Sequence, residues 1–417
     1  MRRTSIVIAA LTWLGSLGAV SGQLLPHPSL LRNHPAVAYA TAPVADAAAA
    51  LNAQLRLGEA TIESSGQSGY LRSVLRALKV PVESQVLVFS KTSFQAPRIN
   101  PSNPRAIYFN DTVAVGWVRG GPVLEVVAED PKQGAIFYTL AQSQEGLPQF
   151  ERNDTCVSCH TSDATQNVPG MFVGSVFPGS DGITMYGPAF TTDHRSPLDI
   201  RWGGWFVTGH HRAARHMGNA VATNPSDLAA MITPSTVHVS SLEGRFDMTG
   251  YLSPHSDIVA LLVLEHQAQM LNLITRAGWE ARVGTDAGRP LERVAEDLVD
   301  YLLFVDEAPL AGPITGTTSF AAGFAAPGPR DRRGRSLRDL DLTRRLLRYP
   351  CSYLIYSEPF DAMPTAAKIA VYARLWKVLS GTETAARYSV LSAADRTAIL
   401  EILRETKPDL PKYFTEG

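Results

Sequence analysis

The sequence predicts an α+β protein, with an antiparallel β-meander, helices before it and a mainly helical part after it. Three observations carry this. Apolar residues recur at helical spacing up to about residue 80, alternate with a period near two from Val86 to Tyr138, and return to helical spacing beyond Thr223. Turn-forming clusters, Gly120-Gly121-Pro122 and Asp130-Pro131-Lys132-Gln133-Gly134, divide the middle stretch. A chain of 417 residues with 45% hydrophobic content can bury a sizeable core in two or three domains.

The N-terminus reads as an export signal over residues 1–22. Met1-Arg2-Arg3 is a positive start, Ile6 to Val20 is an uncharged and mostly apolar run, and Ala19-Val20-Ser21-Gly22 offers small residues for cleavage. The run is short for a membrane span and lacks a stop-transfer flank. The mature protein is therefore expected in the periplasm or secreted, with no membrane span after cleavage. A linker rich in Pro and Ala follows, from Gln23 to about Val44. Helices are expected from Ala45 to about Ala60, where Leu51 and Leu55 share a face, and from Gly69 to Val80, where Leu71, Val74, Leu75 and Leu78 do. Strands are expected at 86–89, 106–109, 113–117, 123–127 and 135–138. Together these form an α/β scaffold over 23–149. Residues 150–225 are poor in strong helical pattern and rich in Gly, His and aromatics, and Trp202 to Val207 reads as strand. From 226 to 417 the pattern is mainly helical. Ser253 is expected as N-cap with Pro254 at the first position of a helix running to Gly278. Further helices are expected at 290–305, 336–348, 363–380 and 392–405, the last opening on Ser392-Ala393-Ala394-Asp395, close to a capping box. Ala311 to Pro329 carries no charge, and loops of such length often line or cover a site.

The most specific signal for chemistry is Cys156-Val157-Ser158-Cys159-His160, C-x-x-C-H. Two thiols at this spacing can each add to a vinyl group of haem, and the histidine is then placed to coordinate iron as the proximal ligand. A thiol redox pair and half of a zinc site are the other readings. Zinc needs two more ligands at similar spacing, yet Cys351 is the only other cysteine. No βαβ pattern supports a thioredoxin-like pair. The export signal agrees with haem c, which is joined to exported chains.

Over roughly 65 residues the segment resembles the class I cytochromes c. That resemblance implies a cytochrome c-like haem-binding segment over 150–225 holding one covalent haem c. In that family a proline soon after the motif accepts a hydrogen bond from the proximal histidine. Val168-Pro169-Gly170-Met171 matches in kind and implies that role for Pro169. The family's distal methionine follows some tens of residues later. Met217 is the leading counterpart, His216 the second, and another residue or an open position the remaining alternatives. His194, His210 and His211 lie nearby in sequence, and Trp202 and Trp205 could pack on the porphyrin or on each other. The resemblance implies an exported monohaem c-type cytochrome that transfers single electrons to or from a redox partner protein. A haem enzyme, peroxidase-like or a dehydrogenase subunit, and a haem-based sensor are the alternatives.

Other features are less specific. His255 and His266, eleven residues apart, are expected on one helical face. The run Arg330, Arg332, Arg333, Arg335 and Arg338 is either a solvated face or a source of partners for a haem propionate or an acidic protein. Cys351 sits among apolar and aromatic neighbours and is expected to be buried and inert. A formal net charge of −1 gives no reason to expect nucleic acid. Zincin, nucleophile-elbow, P-loop and dinucleotide motifs are absent from the sequence.

Overall fold

The computed structural model describes residues 28–143, 146–212, 214–223 and 238–415. The export signal at 1–22 lies outside them. After a short helix α1 (Pro28–Asn33), helix α2 (Ala47–Leu57) starts where the Asp46 side chain accepts from the Ala48 and Ala49 amides, and it ends at Gly58, which turns left-handed at φ 73°. Helix α3 (Leu71–Ala77) follows, with Leu71, Val74 and Leu75 buried on one side.

Strands β1 (Val86–Val88), β2 (Arg105–Phe109), β3 (Val113–Trp117), β4 (Val123–Asp130) and β5 (Gly134–Ala141) form the expected meander. Two short edge strands complete it, β6 (Glu151–Arg152) beside β5 and, later in the chain, β9 (Trp205–Phe206) beside β1. The seven strands run β6-β5-β4-β3-β2-β1-β9, all antiparallel. Between the edges, β7 (Val173–Pro178) and β8 (Thr184–Thr192) make a separate hairpin. The sheet thus takes strands from both the 23–149 and the 150–225 stretches, and the two share one core. The described part of 150–225 contains short 3₁₀ turns and strands and no α-helix.

Alternation along the strands gives the sheet two faces. Ala106, Tyr108, Val115, Trp117, Leu124 and Val126 pack in one core with α2 and α3. Phe109 and Ala114 face the other way, into a core built on helix α4 (Ile258–Val283). This helix is long and apolar enough to cross a membrane, yet it is buried inside the protein along its length. Its N-cap is the buried Asp257, not Ser253: Asp257 Oδ1 accepts from Val259 N (2.8 Å), and Oδ2 accepts from the Thr317 and Thr318 amides (2.8 Å each). The Ser253 and His255 carbonyls are instead taken by Gln85 Nε2 (2.7 and 2.6 Å), which holds that stretch as a loop. His255 is therefore off the helix and shares no face with His266.

Helices α5 (Leu291–Leu302), α6 (Phe320–Ala325), α7 (Glu358–Asp361), α8 (Thr365–Leu379) and α9 (Ala393–Thr406) complete this side. Helix α9 has the full capping box between Ser392 and Asp395. The helix expected at 336–348 does not form. Ser336 and Thr343 donate backbone hydrogen bonds to Asp339 and Asp341 side chains, Leu342 is left-handed at φ 55°, and Leu340 bridges to Leu347. Short polar side chains captured the backbone amides there in place of a helix.

Candidate functional site

Strand β6 leads the chain directly into the motif. Asn153 N donates to Phe137 O on β5 (2.8 Å), and the Asn153 side chain caps a single 3₁₀ turn, Asp154–Ser158, by accepting from Thr155 N (3.1 Å). The Cys159 and His160 amides both donate to Cys156 O (3.2 and 3.0 Å). The two cysteines and the histidine are thus wound on one turn at the sheet edge. Cys156 is half-buried and Cys159 exposed, and both carry free thiols. Burial pushes the Cys156 thiol pKa up.

His160 is fixed by its Nδ1–H, which donates to the Gly170 carbonyl oxygen at 2.8 Å. That tautomer leaves Nε2 without a hydrogen and able to bind a metal. The expected device is present, but the acceptor is Gly170 and not Pro169. The reason lies on α4. Asn272 Nδ2 donates to Met171 O (2.8 Å), and a Cβ on residue 170 would stand 1.9 Å from Asn272 Oδ1. The 168–171 turn is therefore pressed against α4 with glycine at its closest point, which carries the acceptor one residue on. Burial holds the His160 imidazole below the ordinary histidine range, and the Gly170 bond opposes this. The Phe137 and Phe172 rings flank it, with centroids at 4.9 and 5.6 Å.

All three motif residues open on a cavity of about 680 Å³, within the size range of cofactor pockets. Its floor is the α4-side face of the meander. Ala114 and Gly116 on the central strand β3 are too small to fill the space above them. Leu264 and Ala268 of α4, with Val173 and Trp205, form further walls, and Lys91 to Phe94 line it from the loop after β1. Register sets Gly116 opposite Glu125 and Ile107 opposite Gly116, so the Arg105 side chain crosses Gly116 and pairs with Glu125. Glu125 Oε1 also accepts from Ser93 Oγ and Gln95 Nε2, both at 2.8 Å. This ion pair is the charged part of an otherwise mainly apolar floor, and its field reaches Cys156 and His160.

Met217 and His216 do not line this cavity. Met217 is buried beneath the β7–β8 hairpin, beside Phe177 and Phe190, with its sulfur 3.8 Å from Ser175 Oγ. His216 accepts from Gly218 N at Nδ1 (3.0 Å), which leaves Nε2–H to donate to His211 Nε2 (3.2 Å); His211 Nδ1–H then donates to Ala214 O (2.8 Å). Both His216 ring nitrogens are occupied, and the leading candidates for a distal ligand are thereby displaced. The other histidines are elsewhere too. His194 Nδ1 and His266 Nδ1 are 2.8 Å apart in the α4 core, stacked with Tyr301 and Phe304. Trp205 lines the cavity and donates to Gly174 O (2.7 Å), whereas Trp202 is buried against His216.

The arginine run is not at the cavity. Arg332, Arg333 and Arg335 pair with Glu405 and Glu401 on α9, Arg330 with Asp339, and Arg338 with Asp111. Among the described residues no group of three or more His, Cys, Asp or Glu side chains could hold a metal ion. Cys351 is fully buried, and its thiol pKa is pushed far up by burial.

Arg105, Glu125 and Asn272 carried no motif in the sequence, and Gly170 stood there only beside the expected acceptor Pro169. Their roles come from strand register and from the docking of α4. No family model, curated protein or solved structure matches this chain.

Proposed function

We propose that this is an exported single-haem c-type protein, with haem joined to Cys156 and Cys159 and held by His160. The supporting observation is the His160 ring, anchored through Nδ1 with Nε2 free, wound on one turn with two free thiols beside a cavity of cofactor size. When bound, haem supplies an iron that changes oxidation state and, at an open sixth position, takes a small ligand. The chain's own residues hold and shape that site. Asn272 fixes the 170–171 turn, Gly170 orients His160, Phe137 and Phe172 exclude water from the ring, and Ala114 and Gly116 leave the space.

The placement of Met217 and His216 favours the ligand-binding alternative, an enzyme or a sensor, over an electron carrier with a filled sixth position. Among the described cavity-lining residues, the only Met or His besides His160 is Met171. It directly follows the carbonyl that holds the Nδ1 side of His160, away from the metal-binding Nε2. The cavity floor offers Arg105 and Glu125, groups able to orient a small polar ligand or hold its proton. A periplasmic or extracellular location follows from the same reading, since covalent haem is attached after export.

The test is the mature chain produced with haem-maturation machinery. Haem should survive acid–acetone extraction, and the ferric protein should be high-spin and bind cyanide quickly. Freely extracted haem, with the intact mass of bare polypeptide, removes the haem reading. A low-spin spectrum with a far-red charge-transfer band lost in Met217→Ala returns the carrier reading.

A further inference from the structure

A second cavity, of about 410 Å³, lies against the neighbouring face of α4. Val263 and Gln267 line it, whereas their neighbours Leu264 and Ala268 line the first. Two features of the sequence that the haem reading does not use converge here. The uncharged 311–329 stretch contributes Ser319, Phe320, Gly323, Phe324 and Pro327, and the arginine run contributes Arg338. Aromatic rings dominate the interior: Phe109, Phe320 and Phe324, each almost fully buried.

The charged groups cancel. Arg338 donates to both oxygens of Asp111 (2.8 and 3.1 Å) and to Phe324 O (2.7 Å), with its guanidinium over the Phe324 and Tyr353 rings. Lys79 and Glu83, both exposed, add one charge of each sign. Gln267 is held at both ends, by Tyr353 OH (2.9 Å) and by Asn110 O (2.6 Å), so it keeps the wall in place. The hydroxyls of Thr112 and Ser319 supply hydrogen-bonding groups. An apolar cavity of about 150 Å³ suffices for benzene, so this one has room for two fused rings.

We propose that this cavity binds an uncharged, planar aromatic molecule of about two fused rings that carries a hydroxyl or carbonyl oxygen. Flat rings fit the aromatic walls, the balanced charges disfavour an ionised ligand, and the oxygen meets the Thr112 and Ser319 side. Binding here needs no haem, so its failure and the failure of the haem reading are separate results.

The probe is 2-naphthol, followed by its fluorescence on the mature protein. Saturable binding at one site per chain is expected, with 2-naphthoate, the charged analogue, about ten-fold weaker or worse. The blocking variant is Gly323→Leu. A side chain there enters open space, and leucine favours the helix, so the fold should hold while 2-naphthol affinity falls at least about ten-fold. Hydrogen exchange gives a second readout on the unaltered chain, with protection by 2-naphthol confined to the stretches that line the cavity, 79–83, 109–112, 263–267, 319–327 and around 338. No saturable binding, equal binding by Gly323→Leu, equal binding of 2-naphthoate, or protection elsewhere would each overturn the proposal.

Discussion

The two faces of the central sheet are built from the same strands and do opposite things. Toward α2 and α3 the face is filled by buried side chains, among them Tyr108, Val115, Trp117 and Leu124. Toward α4, the central strand offers Ala114 and Gly116, and a cavity opens where side chains would otherwise meet. The difference teaches that the site is made by omission. Two small residues at the middle of β3 hold the space, while the packed face behind them supplies the rigidity that keeps it from closing.

The largest effect should come from filling that space. Ala114→Phe is expected to leave the thioethers in place but to bar haem from the cavity, so that the ferric spectrum set by His160 is lost while the chain stays folded. On the packed face, Leu124→Ala should keep haem but cost about 2–5 kcal/mol of unfolding free energy. The ferric absorption spectrum and urea midpoints separate the two. An unchanged ferric spectrum in Ala114→Phe would mean that haem lies elsewhere.

Two sets of buried groups should also respond to pH in opposite senses. On the α4 side, burial drives His216 and His266 down to about 3, and His194 well below its ordinary value. Unfolding releases them to take up protons, so their contribution is full above about pH 6.5 and is lost as pH falls toward 3. Glu129 on β4 has the opposite sense: burial beside Asp130 and Asp46 pushes it up to about 8. Its contribution is full below about 4.5 and is lost as pH rises through 8. Each amounts to an order of a few kcal/mol. Urea midpoints across this range should fall at both ends, and Glu129→Gln should flatten only the alkaline limb. An unchanged alkaline limb would remove Glu129 from the account.

The smallest effect concerns orientation alone. Gly170→Ala forces Asn272 off the turn. Haem should remain attached while the ferric spectrum shifts, with a milder shift in Asn272→Ala. Unchanged spectra in both would mean that α4 does not set the His160 ring.

Much of the fold was legible because its signals are local. Alternation from Val123 to Val127 and the Gly120-Gly121-Pro122 turn need only their neighbours, and so does the Ser392 cap. Errors arose where two local signals competed. Ser253-Pro254 is a sound helix start, but Asp257 lies within reach of the Thr317 and Thr318 amides and takes the cap. The leucines at 337, 340, 346 and 347 have near-helical spacing, yet Asp339 and Asp341 bind the backbone first. In the site, C-x-x-C-H was legible as a candidate because its residues are neighbours in sequence and wind on one turn. Arg105 and Glu125 were not, because twenty residues separate them in sequence and only register brings them together. Met217 was chosen by sequence distance, and sequence distance carries no information about the hairpin that covers it.

The cavity walls run from Lys91 to Ala268, and the turn that orients His160 is pinned by Asn272. The cysteines need none of this, because both sit on a turn closed by its own neighbours. On the haem reading, attachment and coordination are therefore separable in time. An exported chain would present its thiols before α4 had been translocated, whereas the histidine would acquire its fixed ring only after α4 docks. Iron ligation would then report that docking, and a stopped-flow trace of the haem spectrum during refolding would read the arrival of a helix a hundred residues away.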